Sequence, residues 1–335
     1  MTIKFLQRAL LATSLLVPAL AQAQDFAFSS AGNNAVYTAS IVDNLGAPAS
    51  HINILVTSGL GGLDNPQGLA LGPDGNLYVS SFGTDSVLRY NAATGEFIDA
   101  FVTSTSGGLN GPDGLAFGPD GNLYVSSALT DAVLKYDGTT GAPLGFFVTP
   151  QLGGLQGPDG LIFGPDGNLY VCSSVNDAVA RYDNTGAFID QFVGPTSGGL
   201  EEPQGLAFAP DGSLLVTSSD TDAIIRYDGA TGDPLGFLVN PTTAGLDAPI
   251  EMVFGPDGNL YVTGADNDAV FAFDGTGAFV DFLATTGQDG LIRPTGIVLL
   301  GEGGSTTGGT TTGDGTTGGT TTGGTGGSGG CSLIR

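Results

Sequence analysis

Histidine occurs once in the 335 residues, cysteine twice and tryptophan not at all, and Lys and Arg together number eight against 33 Asp and Glu. With a single histidine, any Ser-His-Asp or Cys-His mechanism rests on His51 alone. Two cysteines, Cys172 and Cys331, do not make a disulfide framework. A net charge of −25 repels nucleic acid and anionic lipid and suits divalent cations, cationic partners, a salty medium or plain solubility. Long apolar runs are also missing, except near the start. There MTIKFLQRALLATSLLVPALAQAQ carries Lys4 and Arg8, an apolar stretch from Ala9 to about Leu20, and Ala-x-Ala ending at Ala21 or Ala23. This pattern reads as a secretory signal peptide over residues 1–23 and predicts an exported protein, periplasmic, secreted or held at the cell surface. No later stretch reaches the roughly 20 apolar residues needed for a spanning helix. Without Lys4 and Arg8, six basic residues remain against 33 acidic ones, a formal charge of −27 in place of −25.

What the sequence has in abundance is repetition. Leu-x-x-Pro recurs at Leu63/Pro66, Leu109/Pro112, Leu155/Pro158, Leu200/Pro203, Leu246/Pro249 and Leu291/Pro294, with prolines 46, 46, 45, 46 and 45 residues apart. A period of this length dictates a repeat architecture. In the unit opening at Pro112, GLAF (114–117), LYVSS (123–127), AVLKY (132–136) and PLGFFV (143–148) are strand-forming runs. GPDGN (118–122) and DGTTG (137–141) lie between them as hairpin turns. The last unit stops after TGIVLL (295–300), while FAFSSAGNNAVYTAS (26–40) aligns with LYVSSFGTDSVLRYN (77–91) and HINILVT (51–57) supplies an outer strand. These spacings predict an all-β fold, a six-bladed β-propeller of four-stranded antiparallel blades over residues 24–301, its last blade closed by N-terminal strands. Residues 302–335 are Gly/Thr-rich low complexity and read as a disordered stalk or linker. Their ending, GGCSLIR, resembles the start of bacterial C-terminal surface-sorting signals, which makes Cys331 a candidate anchor.

Pro-x-Gly-Leu-Ala-Phe, Pro-Asp-Gly-Asn-Leu-Tyr-Val and Val-x-Arg-Tyr-Asp together resemble an NHL-type repeat and, more weakly, the gluconolactonase-like and virginiamycin B lyase-like propellers. The resemblance implies that the residue between Pro and Gly points toward the central channel. Those residues are Gln67, Asp113, Asp159, Gln204, Ile250 and Thr295. In lactonase-like relatives such positions hold a catalytic metal, so the resemblance implies Asp113 and Asp159 as calcium ligands, with amide oxygens nearby. The fifth unit has Glu251 where the others have Gly, which makes Glu251 a third candidate, as ligand or base.

Other recurring residues read as scaffold. Arg89, Lys135, Arg181 and Arg226 share one repeat position and are expected to pair with acidic neighbours between blades. Tyr78, Tyr124, Tyr170 and Tyr261, and Tyr90, Tyr136, Tyr182 and Tyr227, are expected to pack the blades. Asp85, Asp131, Asp177, Asp222 and Asp268 recur in short loops and are expected to form Asx-turns. Cys172 sits where other units have Ser80 and Ser126, so a buried free thiol is expected. His51 falls in an outermost strand, far from the axis. Function is left with alternatives: a module binding a small molecule, glycan or protein through the channel face, a calcium-dependent sugar lactonase or lyase, or a structural surface or matrix protein. Fold alone does not choose among them.

Overall fold

Each repeat begins where a proline opens a strand. In the second blade Pro112–Phe117, Leu123–Ser127, Ala132–Tyr136 and Pro143–Val148 form one antiparallel sheet. The computed structural model describes residues 24–41 and 52–301, which build six such four-stranded sheets. The segments 1–23 and 302–335, with His51 and Cys331, lie outside the described residues. Among the described residues no helix is long and apolar enough to cross a membrane.

The inner strands start two residues earlier than the GLAF run suggests, at the proline itself. Pro112 pairs with Ser127 and Leu115 with Val125, so Asp113 and Gly114 oppose the single residue Ser126 in a β-bulge. The same shift recurs in all six blades. Proline is tolerated at a strand's first position, and a bulge re-aims the side chain it carries. The sixth blade is ordered Pro294–Leu300, Gln24–Ser30, Ala35–Ile41, Asn53–Val56, so the N-terminal strands close the ring as the repeats predict. Ser29 fastens the seam: its hydroxyl lies 2.8 Å from that of Thr295 and accepts the Gly296 N–H at 2.7 Å.

The core is divided into six apolar clusters, each filled from two adjacent blades. The tyrosines pack there as expected. Tyr78 sets its ring edge-on against Phe101 of its own blade and Phe117 of the next, and Tyr124 and Tyr170 repeat the arrangement. Their hydroxyls donate to the aspartates of the Pro-Asp-Gly turns, at 3.0 Å in the Tyr124–Asp120 pair. In that turn Gly121 has φ 76° and Asp120 accepts the Asn122 N–H, which is why Asp and Gly recur there.

Two expectations are corrected. The repeated cations pair within their own blade, not between blades. Arg89 and Arg181 hold Asp99 and Asp190 at 2.6 Å, Lys135 holds Asp120 at 2.7 Å, and Arg226 pairs with Asp211. Register explains this, since Arg89 stands directly opposite Asp99 on the neighbouring strand. The loop aspartates, by contrast, do not make local Asx-turns. Asp85, Asp131, Asp177, Asp222 and Asp268 each accept the backbone N–H of the residue preceding the next blade's proline, at 2.7–3.0 Å. All five have φ of 52–54°, and Asn34 (φ 57°) makes the equivalent bond to Asn65 across the closing seam. Asp and Asn tolerate this left-handed conformation while offering an oxygen.

Candidate functional site

The axis is built from the Pro-x-Gly bulges. A Cβ on Gly68, Gly114, Gly160, Gly205 or Gly296 would come within 2.3–2.5 Å of a carbonyl oxygen on the next inner strand, so at these five positions the approach of the strands excludes a side chain. Glu251 takes the sixth such position. Its Oε1 accepts the Met252 N–H at 3.0 Å and lies 2.9 Å from the place of a Gly205 Cβ, which sets the carboxylate across the channel floor.

A cavity of about 560 Å³ opens on one face of the ring, and a constriction of about 10 Å³ continues it along the axis. Gln67, Asp113, Gln204, Ile250 and Thr295 line both. Thus five of the six Pro-x-Gly residues face the channel as the resemblance implies. Asp159 lines neither: it is buried, beside Asp113 and the Ser174 hydroxyl. Glu251 reaches the constriction only. Thr295 is 2 % exposed and its hydroxyl is occupied, by Ser29 and by the Pro66 carbonyl at 2.9 Å, so it serves the seam more than the rim.

Burial dominates the electrostatics of the floor. Asp113 and Asp159 lie within hydrogen-bonding reach, and desolvation pushes both carboxyls far above the ordinary carboxylate range, where the pair retains a proton. Desolvation, strengthened by the charge of Asp113, pushes Glu251 up to about 8. Cys172 is buried and free, and burial raises its thiol as well.

The donors do not suit calcium as they stand. Asp113 and Asp159 hold each other, Glu251 turns back to its own backbone, Ile250 offers no side-chain oxygen, and no group of three His, Cys, Asp or Glu among the described residues is placed to hold a metal ion. A calcium site needs six to eight converging oxygens.

The rim carries more charge than the floor. Glu202, Asp220, Asp222, Asp247 and Asp266 line the cavity on the fourth and fifth blades, facing Arg293 on the sixth. Burial and its hydrogen bond to Asp220 raise Glu202, while burial and the charges of Asp222 and Asp266 raise Asp247. The sequence reading did not single out Glu202, Asp247 or Arg293. Their signal was available, because they sit just before the bulge proline, where the repeats vary most.

Residues 98–199, holding Asp113 and Asp159, match the model of the SMP-30/Gluconolactonase/LRE-like region. The chain is a six-bladed propeller in which residues 98–199 are similar to that region. Among solved structures it is similar to a propeller in a nidogen/laminin complex, with a TM-score of 0.64 and 19% identity over 83% of this chain and 98% of that one. A catalytically inactive virginiamycin B lyase variant from Staphylococcus aureus, with quinupristin, gives 0.53 and 13% over 78% and 84%. A putative gluconolactonase gives 0.54 and 16% over 66% and 78%. At these identities the likeness is one of fold. No curated protein matches.

Proposed function

We propose that this propeller is an exported binding module that takes its ligand in the cavity at the channel mouth. The observation that carries the reading is that the candidate catalytic groups of the floor are engaged with one another or with backbone. Asp113 and Asp159 lie against each other, the Met252 N–H donates to Glu251 and the Thr295 hydroxyl is held in the seam, while the variable side chains of the rim face a cavity of about 560 Å³. That volume lies in the range of small-ligand sites. The nidogen/laminin neighbour is a propeller solved in complex with a protein, which supports binding as a use of this shape.

A second reading is a sugar lactonase or lyase in which Asp113 acts as general acid or base. Its support is the family match over residues 98–199 and the elevated carboxyl of Asp113 on the cavity wall. A screen of sugar lactones with wild type and Asp113→Asn/Asp159→Asn separates the two. The binding module predicts no turnover by either protein; turnover by wild type that the double variant loses would establish the enzyme.

A further inference from the structure

The turn between the second and third strands of each blade projects at the channel mouth, and its middle residue differs round the ring. In blades one to six it is Gly83, Leu129, Val175, Asp220, Asp266 and Gly32. Leu129 and Val175 are 62% and 69% exposed, the most exposed large apolar side chains among the described residues. The backbone beneath them is cleared. A Cβ on Gly111 would lie 2.8 Å from Leu129 and 3.1 Å from Phe82, and one on Gly157 would lie 2.8 Å from Val175. Glycine therefore leaves room for Phe82 and Leu129 beside Gly111 and for Val175 beside Gly157, which places apolar side chains on blades one to three. On blades four and five the same turn carries Asp220 and Asp266, with Glu202 and Asp247 beside them, all lining the cavity.

We propose that this face docks a protein segment in which apolar residues adjoin Lys or Arg, the apolar residues seated on Phe82, Leu129 and Val175 and the cationic ones on Glu202, Asp220 and Asp266. Charge complementarity selects the partner: the like charges that raise Glu202 and Asp247 are relieved by a cation entering between them, and Arg293 alone supplies positive charge to the cavity wall among the described residues. Exposed apolar anchors beside charged groups are common components of a protein-binding surface. This inference rests on the reading of the propeller as a binding module.

The test uses the full chain and three labelled synthetic peptides, one alternating Leu and Lys, one alternating Leu and Glu, and one alternating Gly and Lys, followed by fluorescence anisotropy. The Leu/Lys peptide is expected to bind about tenfold tighter than either control, and to weaken roughly tenfold in Leu129→Ser/Val175→Ser and in Asp220→Asn/Asp266→Asn. Salt should weaken binding to wild type and have much less effect on the aspartate variant. Leu144→Ser/Leu235→Ser, on exposed outer strands, should bind as wild type does. Equal binding of the three peptides, or loss in the outer-strand variant alone, overturns the proposal. Preference for the Leu/Glu peptide overturns the cationic partner but leaves the binding module standing. No peptide binding together with lactone turnover overturns both, and no binding without turnover overturns the docking proposal.

Discussion

A single glutamate interrupts the ring of glycines at the axis, and its chemistry sets a pH dependence. Glu251 holds its proton to about pH 8 in the fold, against an ordinary value of 4.5. Between those values the folded state binds the extra proton, so stability is highest at the acidic end of the window and falls as pH rises toward the folded value. Asp113 and Asp159 act with the same sign. Thermal melts should show Tm decreasing from about pH 5 to about pH 8, and Glu251→Gln should reduce that loss of stability by roughly 3 kcal/mol. A wild-type melt that rises over this window would remove the buried-acid account. The repeated cations carry less weight. Arg226 and Asp211 are both more than a third exposed, so Arg226→Met should change stability by less than about 1 kcal/mol in a denaturant titration.

The loop aspartates act between elements. Each oxygen reaches the backbone N–H at the start of the next blade, and each backbone is left-handed to allow it. Asp131→Asn keeps both properties, as Asn34 shows at the seam, and should be nearly neutral. Asp131→Ala leaves the Gly157 N–H without its partner and places Ala at φ 52°, so it should cost about 2 kcal/mol in chemical denaturation. Equal costs for the two variants would show that the bond contributes nothing. These residues and their spacing were visible in the sequence. Their partners were not, because a short polar loop looks the same whether it bonds to itself or to a neighbour some 26 residues away.

Closure is a property of the whole ring. Every apolar cluster draws on two blades, and residues 24–41 supply the side chains that complete the clusters on both sides of the seam, among them Phe26 and Phe28 on one side and Ala27 and Val36 on the other. Deleting residues 24–41 would open both clusters and expose the edge of the Pro294–Leu300 strand. The expected outcome is loss of the single cooperative transition in calorimetry, with aggregation of the opened chain. An undiminished transition in the deletion would show that five blades are stable alone.

Period, strand runs, turn chemistry and the split sixth blade were legible in the sequence because each is a local backbone requirement repeated about every 46 residues, and repetition separates it from chance. The same repetition isolated the Pro-x-Gly residues and Glu251 as the variable axis. Only the tertiary structure decided that Asp113 meets Asp159 while Asp159 is buried, that Glu251 folds back to Met252, and that the apolar and acidic turns occupy different arcs of one rim. Those outcomes depend on how closely six bulges approach a common axis and on which blades become neighbours when the ring shuts. The spacing of residues within one repeat contains neither quantity.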